Sequence, residues 1–363
     1  MDDQPAESAA VSGVPDTFRQ SLTEALEHQQ RSCAELGSPI YARIIGAMLE
    51  DHGRQGLTSG LLARGGDRPL HDASVLRLLS GMHRLVLAGR ASDLARHYPS
   101  AGGRPGPTLE RDAMAVIFAH HATLTDEMTL PVQTNEPGRS IAAMTVLRHP
   151  WISTGSSVAW REIGASAGLN LNFPRYAYEV DDGVVGPLES PLRFRREWSA
   201  PPGPAGLPTP EILDVRGCDP HPIDPISRDG RRHLESYVWP DDGVRRERLR
   251  AALKVASRHP PAVDRASAPD WIVRQSTVPG ATLVFFHSIV WQYLDGPTQA
   301  AVRSHMESAG SRTREAALVW ARMEPAGPTA DLRITLWRRG VRQDTIVGTI
   351  GYHGQGLSPT DPV

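Results

Sequence analysis

The chain has 363 residues, a formal net charge of -2 and 22% charged residues, enough length to bury a sizeable core in one large domain or two. That balance excludes the electrostatic footprint of a nucleic-acid binder, and no apolar run approaches the ~20 residues of a membrane span. Two cysteines, Cys33 and Cys218, lie far apart without metal-ligand spacing, which excludes a disulfide framework and a zinc signature.

Lys254 is the only lysine, so the abundance of arginine reflects composition, and single arginines carry little weight as ligands. The start, Met1-Asp-Asp-Gln-Pro5, is acidic and polar, unlike a secretory signal. A cytoplasmic protein follows as the expectation; the oligomeric state is not legible. Residues 1–15 are small and polar and are expected to be disordered. From Asp16 a helical period places Phe18, Leu22, Leu26, Cys33 and Leu36 on one face. Gly37 ends it, and Ser38-Pro39 starts a second helix as N-cap and first residue, carrying Ile40, Ile44, Ile45 and Met48. A third helix is predicted over Ser74–Leu87 and a fourth over Leu109–Leu124. Residues 16–150 therefore read as a helical region that helps to cap a site. Near its end a polar segment, Leu130-Pro-Val-Gln-Thr-Asn-Glu-Pro-Gly-Arg-Ser140, offers Gln133, Asn135, Glu136 and Arg139 as candidate substrate contacts, followed by a helix through Ile141, Met144 and Leu147.

At Ser157 the pattern changes. An apolar run reaches Glu162 and breaks into Gly164-Ala-Ser166-Ala-Gly168, the order strand, tight turn, helix start. Glycine lets a ligand approach the backbone, and the free N–H groups of a first helical turn attract polar groups. Tyr176–Val180 alternates up to Asp181-Asp182-Gly183, a hairpin signal, and an inserted hairpin is expected over about 172–210, with a proline-rich loop from Pro201. Strands are predicted over Glu211–Asp219, at Val263–Arg265, over Ala281–Phe286 and over Ala316–Trp320. Helices intervene at Arg231–Tyr237, Asp242–Ser257, Ala268–Gln275 and Thr298–Ala309. A terminal hairpin, Asp331–Arg338 with Asp344–Tyr352, turns at Gly340, and 355–363 form a tail. Such alternation predicts a mostly parallel sheet with helices on both faces, binding ligands beyond the carboxyl ends of its strands. Glu162, Asp219, Asp264 and His287 all fall at such ends, which predicts one shared pocket. His287, with Tyr293 near it, is the candidate catalytic group, histidine being the natural general base. Trp291 is a candidate pocket wall. His120-His121 lack an i, i+4 partner, and no metal site is expected.

The ordered set Glu162-Ile-Gly-Ala-Ser-Ala-Gly168, Gly217-Cys-Asp219, Val263-Asp264-Arg265-Ala266 and Leu283-Val-Phe-Phe-His-Ser-Ile-Val290 resembles a class I S-adenosylmethionine (SAM) dependent methyltransferase core. More closely, Asp16 to Gly354 resembles the uncharacterised bacterial domain-of-unknown-function family 2332. The matching residues include Leu36-Gly-Ser-Pro-Ile-Tyr41, His97-Tyr-Pro99, Pro131-Val-Gln-Thr-Asn135, Ser236-Tyr-Val-Trp-Pro240 and His287-Ser-Ile-Val-Trp-Gln-Tyr293. The resemblance implies an α/β, Rossmann-like core over 151–354 and SAM as cofactor. It implies that Gly164, Ala165, Ser166 and Gly168 lie against the methionine part, with Glu162 near its amino group. It implies Asp219 at the ribose and Asp264 or Arg265 near the adenine. Ser166 stands where that motif usually has glycine, and the interval from Gly164 to Asp219 is far longer than the ~20 residues of a simple βαβ unit.

Two other readings compete with methyl transfer to a small molecule. Gly164-Ala-Ser166-Ala-Gly168 is also a G-x-S-x-G, the nucleophile elbow of a serine hydrolase, with Asp219 or Asp264 and His287 or His353 to complete a triad. A non-catalytic module of the same fold is the third, since fold does not imply activity.

Overall fold

The structure, a computed structural model, describes residues 16–153, 157–180, 183–195, 209–276 and 280–360. The expected disordered start, the Asp181-Asp182 of the hairpin signal, and the proline-rich loop from Pro201 lie outside the described residues, apart from the loop's last two positions. The helices are α1 Asp16–Glu35, α2 Pro39–Gly53, α3 Leu57–Ala63, α4 Ser74–Leu87, α5 Ser92–Ala95, α6 Leu109–Ala119, α7 His121–Glu127, α8 Ser140–Leu147, α9 Pro150–Ser153, α10 Arg228–Ser236, α11 Gly243–Arg258, α12 Ala268–Ile272 and α13 Gly296–Ser311. The strands are β1 Ser157–Ile163, β2 Ala177–Val180, β3 Gly183–Val185, β4 Arg193–Arg195, β5 Glu211–Asp219, β6 Val263–Arg265, β7 Ala281–Ser288, β8 Leu318–Ala326, β9 Thr329–Arg338, β10 Val341–Ile350 and β11 Ser358–Pro359. None of these helices is long and apolar enough to cross a membrane.

Two compact units emerge, one of residues 1–133 with 232–246 and the other of 134–231 with 247–363. The sequence reading placed its break near 150; the chain divides at Thr134 instead, and a later segment returns to the helical unit. That return has visible anchors. Asp241 accepts from Ser38 Oγ (2.7 Å) and from the Ile40 N–H (3.3 Å), satisfying the start of α2, where free N–H groups need a partner. Ser236 bonds Ser80, and its carbonyl meets His83.

The core of the helical unit is the apolar stripe of each helix: Leu22 and Leu26 of α1, Ile44, Ile45 and Met48 of α2, Leu78, Leu79 and Met82 of α4. This is the three-to-four residue spacing that a buried helix face requires. Leu36, counted with the α1 face, lies past the helix end and is exposed. The single helix expected over Leu109–Leu124 is broken at His120, which caps α6 and starts α7.

The second unit carries an eight-stranded sheet in the order β11-β10-β9-β8-β7-β1-β5-β6 and a small sheet β3-β2-β4. From β8 to β6 every pair is parallel, and the hairpin strands β9 to β11 add antiparallel ones. The result is an α/β unit with a mostly parallel mixed sheet. All eight residues of β7 are buried, as expected for a strand covered on both faces. The β9–β10 turn is Arg339-Gly340, both at positive φ, the two-residue connection whose twist suits a hairpin. The expected tail contributes β11, paired to β10 through Gly348 and Thr349.

Alternation along the strands assigns two faces. Ala159, Ile163, Leu283, Phe285 and Trp320 share a core with Trp271 of α12 and with Val302 and Met306 of α13. Trp160 and Phe286 point the other way, and Trp160 packs on Phe173 at 4.6 Å between ring centres.

Candidate functional site

β1 sits at the centre of the sheet, with β5 on one side and β7 on the other. The chain leaves β1 toward one edge and comes back on the opposite side, so the carboxyl ends of β1 and β7 form a topological switch point, where ligands of such sheets bind. At that point Gly164, Ser166 and Gly168 take φ of 69°, 54° and 71°. Glycine is demanded at Gly164 twice over: positive φ strains any side chain, and a Cβ would lie 2.2 Å from Val290 Cγ2. Ser166 tolerates the same backbone region with help from its neighbour, because its N–H donates to Asp219 Oδ2 (2.9 Å). The other oxygen of Asp219 accepts the His221 N–H (2.8 Å).

The helix expected after the turn is absent. Leu169–Arg175 is a 3-10 stretch containing Pro174, a residue that cannot donate to an α-helical ladder. The Leu169 N–H is taken by Asn135 Oδ1 (2.9 Å) and the Leu171 N–H by the Gly168 carbonyl. The turn is therefore not the N-terminus of an α-helix with N–H groups to spare.

Glu162 is the distinctive residue. It is 2% exposed, one place before the end of β1, and its Oε2 has no hydrogen-bond partner. Burial pushes its carboxyl up to about 8, with Asp219 adding to the rise and Arg139 opposing it, as expected when desolvation outweighs one nearby cation. Arg139 is held by the carbonyls of Tyr352 (3.1 Å) and Ser288 (3.3 Å). Glu136, also buried, accepts the Gly138 N–H (3.0 Å) and lies 3.5 Å from Arg248. Asn170 Oδ1 is a second buried acceptor without a partner. Buried polar atoms are rarely left so; an acid and an amide oxygen together suit a ligand that brings donors or positive charge.

The expected site residues separate into groups. Glu162, Gly164, Ala165, Ser166, Gly168, Asp219, Asn135 and Arg139 come together around the turn. Asp264 faces the opposite side of the sheet, where Trp271 Nε1 donates to it (2.8 Å) and Arg216 pairs with it (3.0 Å); these hold its carboxyl below the usual range. Arg265 is exposed and reaches the Pro220 carbonyl. His287 is fully buried on the face of Phe285, not that of Glu162, with Nδ1 2.6 Å from Glu324. Trp291 stacks on that ring at 5.2 Å, and Tyr293 is 46% exposed on the same 3-10 turn. Gln133 is buried in the helical unit. The single pocket expected from the strand ends is thus two clusters on opposite faces. Asn170, Arg248, Arg322 and Glu324 escaped sequence reading. Only Glu324 had a signal: β8 runs on to Ala326, so an acid marks its last turn too.

Grooves lie elsewhere as well. One of about 640 Å³ follows the first half of β5, lined by Leu213, Asp214, Pro260 and Pro261, and one of about 570 Å³ lies beside Leu283 and His305. Both are at the amino ends of the strands, away from the acids. A smaller cavity of about 220 Å³ is lined by His287 and Trp291. Among the described residues no group of three or more His, Cys, Asp or Glu is placed to hold a metal ion.

Over residues 23–358 the chain matches the family described as "Uncharacterized protein conserved in bacteria (DUF2332)", and it belongs to that family. No curated protein and no solved structure matches it.

Proposed function

Starting from that membership, we propose that the protein binds SAM at the β1 turn through a Rossmann-like, methyltransferase-like core and transfers its methyl group to a small molecule. The observation that carries the reading is Glu162: a buried acid at the end of the central strand, at the switch point, with one oxygen unclaimed. The strand order from β6 through β5, β1 and β7 to β8 suits a nucleoside-binding sheet of this kind.

In this reading Glu162 and Asn170 accept hydrogen bonds from the α-ammonium group, whose charge favours the ionised form of an acid that burial otherwise holds protonated. Asp219 already holds the turn through both oxygens. It is the acid at the end of β5 and the candidate acceptor for the ribose hydroxyls. Arg265, beside Asp219 in the β5–β6 register, lies on the adenine side; Asp264 serves there indirectly, by holding Trp271. The cofactor supplies an electrophilic methyl on sulfonium. The chain's own contribution is orientation, because in-line transfer draws much of its rate from positioning. Asn135 and Arg139 border the turn and are the substrate-side contacts. A base is needed only for an acceptor that must lose a proton, and His287, on the other face, is not required for the cofactor site.

Calorimetric titration of the full chain with SAM and with its demethylated product tests the reading. Binding is expected, weakened at least tenfold in Glu162→Gln, about the 1.4 kcal/mol of one lost charge-assisted contact. If neither compound binds, the proposal fails. The strained φ of Ser166 is the one feature that favours a hydrolase; covalent labelling of Ser166 by a fluorophosphonate would select that reading. SAM binding without turnover on a panel of acceptors would select the non-catalytic module.

A further inference from the structure

The small cavity beside His287 is chemically unlike the β1 turn. It is lined by His287, Trp291, Trp320, Arg303, Arg322 and Arg333, with Glu324 and Asp331 as its acids. Both acids are already engaged. Glu324 takes His287 Nδ1 (2.6 Å) and the N–H groups of Val290 and Trp291 (both 3.2 Å), and Asp331 takes Arg333 (2.7 Å).

Of the cations, Arg333 is thus paired, whereas Arg322 and Arg303 form no ion pair with the lining acids. Arg322 stacks over Trp320 at 4.2 Å and donates through Nη2 to Thr335 (2.7 Å), while its Nε is buried with no partner. Arg303 is exposed and lies over Trp291 at 4.8 Å. Planar guanidinium groups stacked on indoles keep their edge N–H donors available. Two further buried atoms here lack partners, His287 Nε2 and Trp320 Nε1. Trp291 sits on the 3-10 turn that ends at exposed Tyr293 and lies flat on the histidine (17° between planes).

We infer that this cavity binds a small single-ring carboxylic acid. Its carboxylate bonds Arg322 and Arg303, and its ring rests on Pro325 and Ala326. About 220 Å³ falls below the ~300–1,000 Å³ of drug-sized sites, which suits one ring and excludes a nucleotide. The inference does not depend on SAM binding, since none of these residues belongs to the turn.

Quenching of tryptophan fluorescence in the full chain, titrated with 4-hydroxybenzoate, 4-hydroxybenzyl alcohol and inorganic phosphate, tests it. The acid is expected to saturate the signal, with the neutral alcohol and phosphate each at least tenfold weaker. Arg322→Met is expected to weaken the acid at least tenfold. Arg303→Met, an exposed position that leaves folding intact, is expected to weaken it severalfold. No saturable binding of the acid, equal binding of the alcohol or of phosphate, or unchanged affinity in the Arg303 variant overturns the inference.

Discussion

Replacing Glu162 by glutamine keeps the shape of the side chain and removes its ability to ionise, and the consequence for stability depends on pH in a calculable way. The folded protein holds this proton up to about pH 8, whereas the ordinary carboxyl releases it near 4.5. Between those values the folded state binds more protons than the unfolded one, so this group lowers stability as pH rises through the window. At ~1.36 kcal/mol per pH unit, the loss completed above pH 8 is about 4–5 kcal/mol, comparable with the lower end of a whole domain's ~5–15 kcal/mol. Urea denaturation followed by tryptophan fluorescence measures it, and subtracting the variant's curve from the wild type removes every titration the two share. Glu162→Gln is expected within about 1 kcal/mol of wild type at ~pH 4.5, the size of one altered hydrogen bond, and more stable by about 3 kcal/mol or more at ~pH 8.5. Parallel pH curves for the two proteins would refute the assignment of a buried, proton-holding Glu162.

Two further outcomes follow from buried groups and close contacts. His83, His149 and His233 are pushed down to about 4 by burial; their contribution is present above the ordinary 6.5 and lost as pH falls toward 4. Melting temperature should therefore drop on acidification through that window, and a flat acid limb would contradict it. Gly164→Ala is expected to cost about 2–4 kcal/mol, combining ~1–2 kcal/mol of left-handed backbone strain with overpacking against Val290. Adding Val290→Ala in the same chain should return part of that loss, and a double variant no more stable than the single one would count against the contact.

Some of this was open to reading in one dimension. The helices α1, α2 and α4 follow from a 3.6-residue period, and β5 from a stretch that ends in an acid, Asp219, just before Pro220. The two-residue turn at Gly340 also has a local signature. The same reasoning missed α3, whose seven residues are too few to display a period. It ended β8 at Trp320, because Arg322 and Glu324 look like loop, and it expected a helix where Pro174 allows only a 3-10 stretch. Only for β8 did pairing with another strand, β9, override the local pattern.

What the sequence by itself determined was which residues end strands: Glu162, Asp219, Asp264 and His287 were each identifiable because a strand's carboxyl end is marked by where its apolar run stops. Which of them share a site was decided only by the tertiary structure. Side chains alternate across a sheet, so one residue of register moves an acid or a histidine to the opposite face. In the register observed, Glu162 lies opposite Phe286, which puts the adjacent His287 on the far side, where β8 supplies Glu324. The chain order that suggested one pocket is folded into two, each completed by partners that are remote in sequence.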